Sequence, residues 1–261
     1  MIEIPDTDRQ EIERLLPTSL PTRPRAIAVL DGVLAGAVWT DGSAHPRWAV
    51  VIESADGTVY AGGDLDSGTI ARVFAEARTR SGDLIVGFRE PLDPLRRALP
   101  PDPYYAGEAI DFTDRMPPEG EPRMEASALP PGFSLSMVDA ALLPSLEWGD
   151  DTLHAFGSAR AWTERGIGSC VLDASGGVVA HSLAGPRVRG WMEMGVWTHE
   201  AHRRRGLGTL VSARTARACE ASGARVWWNA NADNAASITI ARRLGFRRER
   251  RYELVAYRTQ G

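Results

Sequence analysis

The chain has 261 residues, 43% of them hydrophobic and 25% charged, with a formal net charge of −4 at pH 7. These values are typical of a soluble globular protein with one large domain or two small ones, and they argue against nucleic-acid binding over a broad surface. The two cysteines match no metal or disulfide spacing, and neither a signal peptide nor a long apolar stretch is evident, so we expect a cytoplasmic protein.

The first half combines short strands with helices. Asp-Gly pairs separate several β-rich runs between residues 25 and 61, and this pattern is a strong hairpin signal. The predicted elements are a helix near 8–16, strands at 25–30, 33–40, 48–54 and 58–61, a helix at 67–80, a strand at 84–88, a short helix at 92–99 and a strand near 108–112. We find no catalytic constellation in this half, because His45 and the acidic residues fall in predicted turns.

A stretch rich in Pro and Glu between residues 114 and 131 cannot continue a helix or a central strand. We therefore predict an amino-terminal domain at 1–115, a linker at 116–124 and a second domain at 125–261. The second half has predicted strands at 133–137, 167–172, 178–184, 191–198, 225–230 and 252–257, and predicted helices at 138–146, 148–165 (with a break near Gly149), 207–221 and 235–244. This order predicts an α/β domain with a mixed sheet, an antiparallel meander over 167–198, and a parallel pair formed by 191–198 and 225–230.

The most informative segment covers residues 196–209, where a strand ends in a polar loop with three arginines, two glycines and a helix start. A phosphate bound to the amides of a helix start needs a close approach of the main chain, which glycine allows. Guanidinium groups suit phosphate oxygens, although three consecutive arginines diverge and cannot all point at one ligand. The pattern predicts an anion site; the arginines alone leave a solvated basic loop or a nucleic-acid patch open. The P-loop and dinucleotide-binding glycine patterns are absent.

Three linked motifs resemble the signature of the GCN5-related N-acetyltransferases (GNAT). In that family a strand is followed by [RQ]-x-x-G-x-[GA], a helix, a strand, and N-x-x-[SA] opening a helix that ends in L-G-F. The counterparts here are Arg203-x-x-Gly206-x-Gly208, Asn234-x-x-Ser237 and Leu244-Gly245-Phe246, in the same order and spacing. The resemblance covers roughly residues 125–261. More loosely, the long first half and the Thr-His-Glu entry to the arginine loop resemble the zwittermicin A resistance acetyltransferases.

The resemblance implies an α/β (α+β) fold with a GNAT-type mixed, mostly antiparallel sheet flanked by helices. It also implies acetyl transfer from acetyl-CoA, as co-substrate, to a primary amine of a small molecule in a ternary complex, without a metal. The residues implied to bind the coenzyme are Val196, Trp197, Thr198, Arg203, Arg204, Arg205, Gly206, Leu207, Gly208, Thr209 and Asn234. We expect a small-molecule amine as partner, no nucleic acid or membrane, and a monomer or homodimer.

Proton transfer needs further groups. An alkylamine is mostly protonated at pH 7, with a pKa of about 10 by analogy with lysine, so a base has to remove a proton before attack. Glu193, three residues before Val196, is the first candidate base; a salt-bridged or solvated carboxylate is the alternative. His199 and Glu200 are further candidates, with solvated loop residues as the alternative. Many family members have a general-acid tyrosine where Ala241 stands here, so we name no general acid.

Other residues of the second half fall where the family's substrate-facing helices lie. These are Trp148, Asp150, Asp151, His154 and Trp162. Acids there would suit a cationic amine, while core packing for the tryptophans and helix capping for the aspartates are the alternatives.

The first half lacks the glycine–arginine loop, and an acidic segment at 60–64 stands in the comparable place. We therefore interpret this half as a degenerate copy of the same fold that binds no coenzyme and packs on the catalytic half or covers the acceptor site. A CoA-binding regulatory or scaffold protein with little or no catalysis is the alternative to an acetyltransferase.

Overall fold

A computed structural model describes residues 1–5, 9–55, 57–80, 83–88, 98–118 and 129–258. The chain folds into two compact units, the first formed by Met1–Ala109 and Arg251–Gly261 and the second by Ile110–Arg250. The predicted linker and the helix at 92–99 lie largely outside the described residues, and the predicted domain boundaries stay a prediction. Among the described residues, no helix is long and apolar enough to span a bilayer.

Both units combine runs of consecutive strands with helices. In the first part of the chain they are β1 (Ile2–Glu3), a 3-10 helix (Gln10–Leu15), α1 (Arg23–Leu30), β2 (Gly36–Thr40), β3 (Trp48–Glu53), β4 (Thr58–Gly63), α2 (Ser67–Arg80), β5 (Asp83–Phe88) and β6 (Tyr105–Arg115). The remaining elements are β7 (Ser134–Met137), α3 (Gly149–Phe156), α4 (Ala159–Arg165), β8 (Ile167–Leu172), β9 (Val178–Ala184), β10 (Trp191–Thr198), α5 (Leu207–Ala221), β11 (Arg225–Asn231), α6 (Ala235–Arg243) and β12 (Phe246–Arg258).

The sheet of the first unit has the order β1-β2-β3-β4-β5, followed by the end of β12. Neighbouring strands from β1 to β4 are antiparallel, β5 is parallel to β4, and β12 is antiparallel to β5. Helix α2 connects the parallel pair and buries Ile70, Val73 and Phe74 against the sheet.

The sheet of the second unit has the order β6-β11-β10-β9-β8-β7. The strands β8, β9 and β10 form the predicted antiparallel meander, and β10 and β11 form the predicted parallel pair. Strand β7 adds to the meander by antiparallel pairing with β8. Both predictions are confirmed. The elements of the first unit thus follow each other with the same pairing pattern as those of the second, and the mixed, mostly antiparallel sheet with flanking helices is the predicted fold class.

The structure corrects one prediction in the first unit. Residues 25–30 form part of α1 instead of a strand. Pro24 stands in the first turn of this helix, a position that favours helix initiation. All five residues from Ala26 to Leu30 are buried, so the apolar run carries no helical periodicity that sequence reading could use.

Three predictions in the second unit also need correction. Residues 138–146 contain only a 3-10 turn (Leu143–Ser145), because the Asp139 carboxylate accepts from the amides of residues 141 and 142 and favours a turn. The helix break lies at Gly157, with a φ of 80°, while Gly149 begins α3. The last strand begins at Phe246, six residues earlier than predicted, since the exposed arginines that follow hide the strand pattern.

Candidate functional site

A cavity of about 620 Å³ opens in the second unit beside the end of β10 and the first turns of α5 and α6. Its lining combines apolar strand residues, arginines and helix-start residues. The lining includes Trp148, Val196, Trp197, Thr198, Arg203, Arg204, Gly206, Leu207, Gly208, Thr209, Asn234, Ile240 and Arg243. The lining therefore includes every residue that was predicted to bind the coenzyme except Arg205, which is exposed beside it.

The cavity begins where β10 and β11 separate. Their parallel pairing ends at Met194 and Trp228, whereas β10 stays paired with β9 as far as Thr198. The amide of Gly185 donates to the Glu193 carbonyl, and the amide of His199 donates to the Val179 carbonyl, both at 2.9 Å. Odd-numbered residues of β10 therefore direct their main-chain groups toward β9, and even-numbered residues direct theirs toward the gap.

Val196 and Thr198 are the even-numbered residues beyond the last paired position. Their amides and the Val196 carbonyl face the gap, while the Thr198 carbonyl accepts from Arg203 Nε at 3.1 Å. The main chain of Trp197 faces β9 instead, because Trp197 is paired with His181. Of the three strand residues predicted to bind the coenzyme, only Val196 and Thr198 therefore offer main-chain groups to an extended ligand in the gap.

Gly206 ends the arginine loop and caps α5. Its φ is 79°, and a Cβ at this position would meet no atom within 4 Å. The Gly206 carbonyl accepts from the amide of Leu210 at 3.0 Å. The amides of residues 207–209 precede this first bond of the helix, so they are the donors that a helix start offers to an anion.

Gly208 has a different reason to be glycine. A Cβ there would lie 3.1 Å from Thr198 Oγ1 and 3.2 Å from Ile240 Cδ1. The first turn of α5 thus packs directly on the end of β10 and on α6. This close packing holds the helix start at the gap between the two strands.

Three cationic side chains line the cavity: Arg203, Arg204 and Arg243. No ion pair joins any of them to a carboxylate within the part of the chain that the structure describes. Arg204 has a φ of 62°, so the backbone turns sharply between the arginines and only two of the three loop arginines line the cavity. The unpaired cations and the free helix start together make the cavity suited to a phosphorylated ligand.

Arg243 is a cavity residue that the motifs do not contain. It lies on α6, whose first turn is capped by Asn234: the Asn234 side-chain oxygen accepts from the amide of Ser237 at 3.0 Å. Residues 236, 239, 240 and 243 then line the cavity at intervals of three or four. This helical spacing from Asn234 is the signal that could have indicated Arg243.

The opposite face of β10 carries Gly195 and Trp197, and helix α3 begins above it. A Cβ at Gly195 would lie 3.3 Å from the ring of Trp148. The ring of His181, on β9, lies against both tryptophans, with centroid distances of 5.8 Å to Trp148 and 5.5 Å to Trp197. A second, aromatic surface therefore lies across β10 from α5.

The comparison with protein families identifies the fold around this cavity. The model of the family described as GNAT acetyltransferase matches residues 21–255. The chain belongs to this family. Its members are acetyltransferases, so acyl transfer is the chemistry that the family indicates for the cavity. A search of curated proteins found no match.

Solved GNAT structures share the fold across both units. A GCN5-related N-acetyltransferase-like protein from Streptococcus suis is 18% identical, with 95% of this chain and 98% of that chain covered and a TM-score of 0.72. A tandem GNAT protein from the clavulanic acid biosynthesis pathway is 15% identical, with 100% and 98% covered and a TM-score of 0.62. A GCN5-related N-acetyltransferase from Sphaerobacter thermophilus is 15% identical, with 99% and 95% covered and a TM-score of 0.61.

The candidate proton-transfer residues of this GNAT fold differ in their surroundings. Glu193 is half-buried on β10 and shares a face with Gly195. His199 caps a 3-10 turn by accepting from the amide of Ala201 at 3.3 Å, and Glu200 is exposed in that turn. Ala241 is fully buried in the core. The position of the family's tyrosine is thus part of the packing of α6.

The remaining predicted residues on the substrate side have mostly structural roles. Trp162 is buried and donates from Nε1 to the Val138 carbonyl at 3.2 Å. Asp150, Asp151 and His154 are exposed on α3, and the two aspartates occupy its first turn, where a negative charge stabilises a helix. Only Trp148 also lines the cavity. Within the described residues, no group of three or more His, Cys, Asp or Glu could hold a metal ion.

In the first unit, α2 is the helix that corresponds to α5, and its start is arranged differently. The Asp66 carboxylate accepts from the Thr69 amide at 2.7 Å and from the Thr69 hydroxyl at 3.0 Å. These hydrogen bonds lower the pKa of Asp66, so it is ionised at neutral pH. A Cβ at Gly62, on β4, would collide with the Leu15 carbonyl. A carboxylate thus occupies the start of α2, where α5 leaves its amides open.

Proposed function

We propose that the protein transfers the acetyl group of acetyl-CoA to a primary amine of a small molecule by direct attack in a ternary complex. The observation that carries the proposal is the separation of β10 from β11 after Met194, directly beside the start of α5, which has no side-chain cap, and three arginines that form no ion pair within the described residues. This arrangement offers a strand edge to an extended arm and a cationic helix start to a pyrophosphate. Coenzyme A combines both chemical parts in one molecule.

The proposed contacts follow from the directions of the main-chain groups. Val196 and Thr198 bond the pantetheine arm, and the Val196 amide polarises the thioester carbonyl as an oxyanion-hole donor. The pyrophosphate lies on the amides of residues 207–209, with Arg203 and Arg204 beside it. Asn234 and Arg243 form the opposite wall on α6.

Glu193 is proposed to remove the first proton of the ammonium form of the acceptor. It lies two residues before Gly195 on the same face of β10, so it is near the carbonyl that the Val196 amide polarises. Glu193→Gln keeps the size of the side chain and removes the base. We expect kcat to fall about 100-fold or more and the Kd for acetyl-CoA to stay unchanged. Unchanged turnover would exclude Glu193 as the base.

The test of the overall proposal is an assay of free CoA thiol after incubation with acetyl-CoA and a panel of primary amines. Thiol release that depends on one of the amines, with a matching acetylated product in mass spectrometry, is the expected result. Tight binding of acetyl-CoA without turnover on any amine would instead favour a CoA-binding regulatory or scaffold protein, for which the buried Ala241 is the motivation.

Several finer assignments stay proposals from the sequence. These are membership of the zwittermicin A resistance subgroup, a cytoplasmic location, a monomeric or homodimeric state, and acetyl-CoA as the donor without a metal. The interpretation that the first unit binds no coenzyme has support from Asp66, whose carboxylate occupies the helix start and would repel a phosphate.

A further inference from the structure

His181 is a buried imidazole whose hydrogen-bonding groups the fold does not use. Its side chain is 0% exposed, and neither Nδ1 nor Nε2 has a hydrogen-bond partner within the described residues. Burial lowers the pKa of His181 to about 4, so the ring is neutral at physiological pH. A neutral imidazole always has one nitrogen with a free lone pair, and leaving such a group unsatisfied in a core destabilises the fold. An apolar ring would fill a purely structural role at this position better.

The ring of Trp148 covers His181, and a ligand could take the place of this ring. The ring stands edge-on to the imidazole at 5.8 Å and lies over Gly195, yet 44% of the residue is exposed. The backbone of Trp148 has a φ of 63°, an uncommon conformation for a bulky residue. The following Gly149 cannot be replaced by a larger residue, because a Cβ would collide with the Leu143 carbonyl. The fold thus holds a strained, partly exposed tryptophan directly above the imidazole.

The position of Trp148 is also where an acceptor has to stand. The thioester carbonyl, on the proposed function, lies at the Val196 amide in the gap beside Gly195. An amine that displaces the Trp148 ring from Gly195 would therefore contact His181 from the same side. The two tryptophan rings that border this place would stabilise an ammonium group as it enters.

Acetylation removes two protons from an alkylammonium, one before attack and one after the C–N bond has formed. We propose that His181 is the catalytic group that takes the second proton from the attacking nitrogen and passes it to the CoA thiolate. The nitrogen lone pair forms the C–N bond, the C–S bond breaks, and its electron pair leaves with sulfur. The proton moves from nitrogen to the imidazole and then to sulfur, which gives the amide, free CoA and a neutral His181. This inference rests on the proposed acetyl transfer.

The same step accounts for the missing tyrosine. Ala241 is buried and has no hydroxyl, so α6 supplies no proton to the leaving thiolate. An imidazolium formed at His181 is a stronger acid than a thiol, whose pKa is about 8.5 in an exposed cysteine, and it therefore gives its proton to the thiolate readily. In one turnover, Glu193 then removes the first proton of the ammonium group and His181 transfers the second proton to the thiolate.

The test compares His181→Phe and His181→Gln with the full-length wild type. Phenylalanine fills the ring space without polar atoms, and glutamine keeps polar atoms but cannot shuttle a proton. We expect both variants to lose about 100-fold or more in kcat with an unchanged Kd for acetyl-CoA. His181→Phe should also raise the midpoint of thermal unfolding, because the two unsatisfied nitrogens are gone. His45→Phe, at an exposed turn of the first unit, is the matched control and should change neither quantity.

The readouts separate the possible failures. Turnover is measured as CoA thiol release with the amine panel and, in the absence of an amine, as hydrolysis of bound acetyl-CoA, in which water replaces the amine. A His181→Phe variant that keeps wild-type turnover, or that unfolds at a lower temperature than wild type, would overturn the role of His181 while leaving the acetyl transfer intact. A wild-type protein that binds acetyl-CoA and shows neither reaction would overturn the proposed function itself, and this inference with it.

Discussion

Gly206 has a left-handed backbone conformation, and the space where a Cβ would lie is open. Both properties allow a phosphate to approach the main chain at the start of α5. Gly206 lines the cavity, and a side chain added here would meet no atom within 4 Å of its Cβ. Gly206→Trp should fill the place of the pyrophosphate at a backbone cost of about 1–2 kcal/mol. We expect calorimetry to show no binding of acetyl-CoA and the far-UV circular dichroism spectrum to match that of the wild type.

Gly190→Trp is the matched control for this substitution. Gly190 has a φ of 84° and equally open surroundings, and it precedes the other end of β10. This variant should carry the same backbone strain and still bind acetyl-CoA. Binding that survives in Gly206→Trp would contradict the phosphate site, whereas loss of binding in both variants would point to a general loss of stability.

His181 should also make the stability of the fold depend on pH. Its pKa is lowered from 6.5 to about 4 by burial, so the unfolded chain binds the proton first as the pH falls. The folded state therefore has its full stability above pH 6.5 and loses it as the pH falls toward 4. Between pH 7.5 and 4.5 the free energy of unfolding should fall by about 2–3 kcal/mol more in the wild type than in His181→Phe.

Urea denaturation of both proteins at the two pH values measures this difference. The ionised carboxylates of Asp41, Asp66 and Asp173 have pKa values lowered from 3.8 by hydrogen bonds, so they lose their stabilising contribution only at lower pH. Cys170 lies on β8, opposite His181 on β9. Burial raises the pKa of the Cys170 thiol to about 11, so it stays neutral. An equal loss of stability in the wild type and His181→Phe would show that His181 is not buried as a neutral group.

At the scale of elements, α6 contributes a wall of the cavity and ends in two arginines with different surroundings. Arg243 lines the cavity, whereas Arg242 Nε donates to Glu249 Oε1 at 2.7 Å. Arg243→Ala should weaken acetyl-CoA binding about fivefold to tenfold at low salt, because an exposed charge–phosphate contact is partly screened. Arg242→Ala, the matched control, should leave the Kd unchanged. Equal effects of the two substitutions on the Kd would show that Arg243 does not contact the coenzyme.

The sequence predicts those elements whose determinants lie close together along the chain. The glycine–arginine loop, the Asn234 cap and the strands around them are local patterns, and the structure brings their residues to one cavity. The sequence does not predict helix α1, because its last five residues are all buried, which removes the periodicity that distinguishes a helix from a strand.

The aromatic surface over Gly195 could not be predicted from local patterns. Trp148 and His181 are 33 positions apart in the sequence, and their contact depends on the register of β9 against β10 and on the backbone of Trp148. A single histidine in an apolar strand gives no motif, and its missing hydrogen bonds become visible only in three dimensions.

At the scale of the whole molecule, the two units share one pattern of strand pairing, three antiparallel pairs followed by a parallel pair. The chemistry at the helix inside the parallel pair is opposite in the two units. In the first unit Asp66 occupies the start of α2, and Gly62 packs on the main chain of Leu15. In the second unit the start of α5 has no acidic residue in its first turn and faces an open cavity. The repeated fold therefore predicts one coenzyme site per chain instead of two.

Calorimetric titration of the full chain with acetyl-CoA tests the central claim most directly. One molecule of acetyl-CoA per chain should bind in the wild type, and the affinity should fall with added salt, since the pyrophosphate meets arginines and a helix start. Absence of binding would contradict the assignment of the cavity to coenzyme A, and two molecules per chain would contradict the distinction between the units.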